Sequence, residues 1–441
     1  MKRLLTPADG AWWWMEHPTN LMTITAVFTF AEPFAPDDVR RLAERLLRFD
    51  RFKQRVVRGG ALGRPAWQLD PAFDLARHVH TASLADDSEA ALQTLVSDLM
   101  GTPLPYDRPL WQLHLVPSYR DGSAIVVRIH HCVADGMSLV QVLLRLADEP
   151  PVLPPVATRG RRHGGDTERR TRSEGFLSGR RLVDAARASG TVAAAVAGIL
   201  DLRADPRTPL RGALGREKRA AWSAPIALDD VKRVGSRLGA TVNDVLLATV
   251  SGALGRYLRA RGVAADGLTL RAVVPVNLRA PDDIALGNKF GMVFFPLPVG
   301  HADPTARLAA VKRTMDQVKR SPEAVLIFGL LRAFGTTTTR VLKLAVNVLG
   351  RKATAVMTNV PGPREPLRFV GKTVDTMMFW VPQSGRLGLG VSILSYHGQV
   401  RLGVATDARL IPDPQALVDA FHDAFAELAD AHAPERAPQP A

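Results

Sequence analysis

Cysteine is almost absent from this sequence: among 441 residues there is one, Cys132, so neither an internal disulfide nor a cysteine-rich metal site can be built. Such usage fits a reducing compartment. Long apolar runs are missing as well. The best, TVAAAVAGIL (191–200) and AVLIFGLLRAFG (324–335), fall short of the roughly 20 residues a spanning helix needs, and Arg332 interrupts the second. The start, MKRLLTPADGAWWWMEHPTNLM, has no long apolar h-region and no small-residue cleavage site, so no secretory signal is read and a cytoplasmic location is expected. Acidic residues are in deficit, 43 against 57 Lys plus Arg, and the net charge of +14 favours an anionic partner: nucleic acid, a phosphorylated cofactor or anionic lipid. No zinc-finger or RRM-like motif accompanies the basic residues, which concentrate in one low-complexity run, so nucleic acid is not expected.

What is present is enough for two cores. The length exceeds what one hydrophobic core serves, and hydrophobic residues make up 46% of the chain. MTITAVFTF (22–30) reads as a strand and PDDVRRLAERLLRF (36–49) as an amphipathic helix with Pro36 in its first turn. WQLHLVP (111–117) and SAIVVRIHH (123–131) read as strands separated by Asp121 and Gly122, and GMSLVQVLLRLAD (136–148) as a buried helix. From Pro150 to about Leu214 the composition turns to Pro, Gly and Arg, predicting a connector between residues 1–149 and a second α/β set over 215–441. In that second part VSILSYHGQVRLGVATD (391–407) predicts a hairpin turning at His397-Gly398.

The stretch RIHHCVADGMSL (128–139) carries the chemistry. It sets His130, His131, Asp135 and Gly136 where a strand hands over to a helix. A core histidine pair with a turn aspartate would be the bland account, since Asp and Gly are common at such junctions. The whole pattern H-H-x-x-x-D-G in that context favours function. Neighbouring side chains of a regular strand face opposite sides, so the two histidines are not expected to share one metal ion, and no third ligand stands at a familiar spacing. No metal is expected. Cys132 as a thiol nucleophile lacks a visible activating partner.

At HHCVADG (130–136) the sequence resembles the bacterial wax ester synthase/diacylglycerol acyltransferase family, within the superfamily of coenzyme A-dependent acyltransferases (the chloramphenicol acetyltransferase type) and peptide-synthetase condensation domains. The resemblance covers nearly the whole chain: Pro109-Leu110-Trp111, Asn243-Asp244 within TVNDVLLA, PVNLR (275–279), GNKFG (287–291), TNVPGP (358–363) and SYHGQ (395–399) also carry it. It implies an α/β fold with mixed sheets, as two chloramphenicol-acetyltransferase-like subdomains with a tunnel between them. It also implies His131 facing that tunnel as general base toward a hydroxyl, a task suited to a neutral imidazole. By the same resemblance His130 is structural, Asp135 pairs with Arg279, and Gly136 keeps the passage beside the histidine open.

Asn243 and Asp244 stand where a helix begins, so capping and direct substrate contact both remain open. Pro109, Leu110 and Trp111 are read as packing, and NVPGP as a rigid turn. Trp12-Trp13-Trp14 is either core or an interfacial anchor. The implied activity is acyl transfer from acyl-CoA, as co-substrate with no bound cofactor, to diacylglycerol or a long-chain alcohol; residues contacting coenzyme A are not assigned. The alternatives are an acyltransferase for another hydroxyl or amine, and a non-catalytic lipid-binding or inclusion-coating protein of the same fold. Eight arginines against three acids over 159–181, with apolar segments at 176–200 and 324–350, lead to an expectation of peripheral binding to a membrane or lipid inclusion.

Overall fold

The computed structural model describes residues 2–59, 64–149, 202–279, 286–318, 339–383 and 385–431. Most of the predicted connector (150–201) and the apolar run 324–335 lie outside them. Residues 202–214 are packed: Leu210 is buried, and the buried Asp205 carboxylate is 2.7 Å from Arg271.

Three sheets organise the chain. A small one runs in the order β1 (Lys2–Leu4), β4 (Arg64–Leu69), β3 (Gln54–Gly59). A six-stranded sheet has the order β13 (Arg368–Phe369), β14 (Lys372–Trp380), β2 (Thr23–Phe30), β7 (Gly122–His130), β6 (Trp111–Tyr119), β5 (Val79–Thr81). The third has the order β11 (Phe290–Leu297), β10 (Leu270–Asn277), β12 (Ala355–Pro361), β15 (Leu389–Tyr396), β16 (Gln399–Asp407), β8 (Lys218–Trp222), with β9 (Ile226–Ala227) also on β16. Both large sheets mix parallel and antiparallel neighbours. The helices are α1 (Pro7–Met15), α2 (Pro36–Leu46), α3 (Glu89–Gly101), α4 (Gly136–Leu146), α5 (Leu228–Arg237), α6 (Val242–Ala260), α7 (Pro304–Val318), α8 (Thr339–Gly350) and α9 (Pro414–Asp430).

Local chemistry explains the junctions. Gly122 opens β7 because a Cβ there would lie 2.0 Å from the Phe30 carbonyl oxygen. His397 and Gly398 both adopt positive φ, 47° and 72°, as the two-residue turn joining β15 to β16 requires. Two large apolar cores result. One joins Val27, Ile125 and Trp111 to Met377, Met378 and Trp380 of β14; the other packs Val245 and Leu254 of α6 against Val274, Phe295, Ile393 and Phe421. Burying a side chain such as Met377 or Trp380 stabilises by roughly 1.5–3 kcal/mol, so β14 is held by apolar contact as well as by its ladder to β2. Among the described residues no single helix is long and apolar enough to cross a membrane.

Candidate active site

The site begins where β7 ends. β7 closes at His130, opposite Thr23 of β2, and His131 is the first residue beyond it, its N–H still donating to the Met22 carbonyl at 2.7 Å. The alternation expected of a strand thus applies at its very end, and the two imidazoles have separate surroundings. His130 is fully buried: Nδ1 accepts the Cys132 N–H at 3.1 Å, and Nε2 faces Glu16 Oε2 at 3.3 Å, an electrostatic contact short of an aligned hydrogen bond. Glu16 also accepts from the Tyr106 hydroxyl and, at 2.5 Å, from the Met22 N–H. Burial pushes the Glu16 carboxyl up, but His130 and these donors outweigh it and hold it below the usual range.

His131 has other company. Its Nδ1 lies 2.9 Å from Asn288 Oδ1, Trp12 of α1 stacks on the ring at 4.0 Å with 17° between planes, and Phe290 stands 5.7 Å away. The ring is only 4% exposed. Burial drives its pKa down to about 4, against the opposing pull of Asp135 and of the hydrogen bond to Asn288, so the imidazole is neutral at pH 7. A Cβ built on Gly136, by contrast, would meet no atom within 4 Å, so space is open at the start of α4.

Asp135 spends its carboxylate on partners other than His131. As N-cap of α4 it accepts the Ser138 N–H at 2.8 Å and the Ser138 hydroxyl at 2.9 Å; its other oxygen accepts from Arg279 Nη2 and from the Lys289 N–H, each at 2.9 Å. The structure thus brings Asp135 and Arg279 together, both about 5% exposed. Arg279 and Ser138 also donate to the Gly287 carbonyl, the latter at 3.2 Å. Gly287 has φ of 132°, a conformation that favours glycine, and this bend presents its carbonyl to Asp135's partners and Asn288 to His131.

Other predicted residues fall further out. Thr241, not Asn243 or Asp244, is the N-cap of α6; Asp244 is its third residue and closes a capping box, its carboxylate accepting the Thr241 N–H at 2.9 Å. Asn243 Oδ1 accepts from Asn359 Nδ2 at 3.0 Å, joining two of the sequence motifs. Trp111 is buried, donating Nε1–H to the Phe52 carbonyl at 2.8 Å and stacking on His78. Gly362 of NVPGP donates to the Ser395 carbonyl at 2.7 Å, and a Cβ there would lie 2.5 Å from that oxygen. Cys132 is fully buried, and burial pushes its thiol well above the ordinary range. Among the described residues no group of three or more His, Cys, Asp or Glu is placed to hold a metal ion.

The catalytic-domain model of the wax ester synthase/diacylglycerol acyltransferase family matches residues 5–246, and the family's C-terminal-domain model matches residues 286–429. The chain belongs to that family. A Mycobacterium tuberculosis relative named probable diacylglycerol O-acyltransferase is 30% identical over 426 residues, covering 89% of this chain and 88% of the relative. A second from the same organism, under the same description, is 28% identical and spans 97% of this chain and 99% of its own length. The wax ester synthase/diacylglycerol acyltransferase of Marinobacter aquaeolei VT8 superposes with a TM-score of 0.70 at 25% identity, covering 97% and 99% of the two chains. The first condensation domain of the calcium-dependent antibiotic synthetase, at 19% identity and TM-score 0.61, shares the fold. This family member is an O-acyltransferase that makes neutral lipid.

Chemically, the site of this acyltransferase offers a neutral imidazole whose Nδ1 faces the side-chain oxygen of Asn288, and a neutral imidazole has one nitrogen that can accept a proton. Sequence reasoning did not assign Asn288, Asp9, Trp12 or Glu16 to it. GNKFG and the tryptophan run stood out as motifs; nothing in the sequence singled out Asp9 or Glu16, which reach the histidines only through the fold.

Proposed function

We propose that the chain transfers a fatty acyl group from acyl-CoA to the free hydroxyl of diacylglycerol, with His131 as general base and without an acyl-enzyme. The carrying observation is the 2.9 Å contact from His131 Nδ1 to Asn288 Oδ1, which leaves Nε2 as the basic nitrogen. Nε2 takes the hydroxyl proton as the oxygen bonds to the thioester carbonyl carbon. The C–S bond then breaks, and Nε2 returns the proton to the leaving coenzyme A thiolate. His130, packed against Glu16, supports the strand end; the ion pair of Asp135 with Arg279 holds the start of α4 against Gly287–Lys289. Gly136 leaves room for substrate beside the motif, where a side chain would project into open space. The names of the two mycobacterial relatives favour diacylglycerol over a long-chain alcohol as acceptor.

Residence on a lipid surface belongs to the same proposal. Leu344 and Val348, one turn apart on α8, are 65% and 38% exposed, and α8 packs against α1, the helix that carries Trp12. Exposed apolar residues there, with a net charge of +14, suit reversible binding to an anionic surface. Purified protein is assayed with labelled acyl-CoA and a panel of diolein, hexadecanol and short alcohols, with the lipid products separated. His131→Ala is expected to lower turnover by roughly 10²-fold or more while the fold stays intact. Near-normal turnover in that variant refutes the general base.

A further inference from the structure

The side-chain amide of Asn288 is held on three sides, and one orientation satisfies them all. Nδ2 lies 2.8 Å from Asp9 Oδ1 and 2.9 Å from the backbone oxygen of His131, both acceptors. Turned over, the amide would set its oxygen against those two oxygens and its NH₂ against His131. Asp9 Oδ1 also accepts the Asn288 backbone N–H at 3.0 Å, so the carboxylate grips the residue twice. Asp9 is wholly buried on α1, with Arg51 as countercharge 3.8 Å away and Arg51 itself stacked over Trp67 at 4.2 Å.

We propose that Asp9 and Asn288 form a positioning relay: the carboxylate orients the amide, and the amide holds the His131 proton on Nδ1 so that Nε2 remains the base. The relay deepens the reading of His131 given above and rests on it. A carboxylate placed deep in the fold costs solvation, and burial indeed raises the Asp9 carboxyl above its ordinary range, with Asn288 and Arg51 opposing. A purely structural hydrogen bond would not need a charge there. A relay does, because positive charge develops on the imidazole as Nε2 takes the proton, and an anion two bonds behind the Nδ1–H stabilises it. The other charged or titratable groups around the ring are His130 beside it, Asp135 at the N-cap of α4, and Arg279 and Lys289 around Asp135. None of these contacts Nδ1; Asn288 Oδ1 does, and the ring also has a hydrogen bond to the backbone of His131 itself.

Two measurements test this. In the wild-type protein, ¹⁵N spectra of the imidazoles should show His131 protonated on Nδ1 at pH 7; a proton on Nε2 overturns the relay whatever the variants do. The second is the pH profile of kcat/KM in the exchange D9N/N288D, which conserves charge and size but sets a carboxylate directly on Nδ1. Its acid limb should move up by about 1–2 pH units relative to wild type, the usual effect of an adjacent opposite charge. It should also be more active than N288D alone, where two carboxylates would face each other. N288L should lose roughly 10–10³-fold in kcat with KM changed by no more than about two-fold. An unmoved acid limb in the folded exchange variant refutes the relay while leaving the general base standing, provided His131→Ala is inactive. Activity in His131→Ala removes the reading on which the relay depends.

Discussion

Replacing Asp135 by alanine removes an acceptor that four donors share: the Ser138 N–H and hydroxyl, Arg279 Nη2 and the Lys289 N–H. Two costs follow. Loss of an N-cap side chain is worth about 1 kcal/mol, and loss of the charged hydrogen bond from Arg279 about 1.5–3 kcal/mol. Both partners are near 5% exposed, so water replaces the lost bond poorly, while Arg279 keeps its donation to the Gly287 carbonyl. The sum, about 2.5–4 kcal/mol, is a large share of the roughly 5–15 kcal/mol that holds a native protein together. Asp135→Asn keeps an acceptor for the cap and should lose about 1 kcal/mol less. Urea unfolding followed by the fluorescence of the seven tryptophans measures both, with the alanine midpoint falling by about 1–2 M at unchanged slope. Activity per folded molecule should fall less than the yield of folded protein. An alanine variant within about 1 kcal/mol of wild type would refute the reasoning, because the hydrogen bonds to Asp135 would then hold nothing together.

The pH dependence of stability has a definite sign. His131 titrates near 4 in the fold and near 6.5 when unfolded, so the unfolded chain takes up the proton first; stability is full above about pH 6.5 and falls toward pH 4, by about 3 kcal/mol at the limit. His131→Ala should lessen that slope between pH 6.5 and 4.5 in the same urea titrations, leaving the part due to His114, His78 and His80, whose pKa values burial also lowers. Cys132→Ala should keep most of its activity, and a thiol reagent should label Cys132 only when the protein unfolds, since the thiol is buried; rapid labelling of native protein would contradict the packing. Gly122→Val should fail to accumulate as folded protein, because its Cβ would sit 2.0 Å from a β2 carbonyl; a normal melting temperature would show that the β2–β7 edge yields.

Much of this was legible in the chain. Alternation marked β2, β6 and β7, the hairpin at His397-Gly398 declared its turn, and the strand-to-helix handover at 130–136 located the site. The pairing of Asp135 with Arg279 came from resemblance to the family, since 144 residues separate them and no spacing rule spans that distance. Helix ends were read less well: Asn243 and Asp244 looked like caps, yet Thr241 takes the role because its hydroxyl reaches the third residue's N–H. Asp9, Trp12 and Asn288 matter through contacts between distant segments, which periodicity does not encode. The place of KTVDTMMFW (372–380) beside β2 was equally invisible, for strand pairing at long range leaves no local signature.

That last strand has a consequence for how the molecule is made. β2 is finished by Phe30, but its neighbour β14 begins at Lys372, so about 340 further residues must leave the ribosome before that edge is covered. Until then the nascent chain displays an eight-residue edge, TITAVFTF, without a charge to deter another strand. Premature termination before residue 372 should therefore yield a sticky fragment rather than a smaller working domain, and expression of residues 1–250 alone should deposit in inclusion bodies where full-length protein stays dispersed.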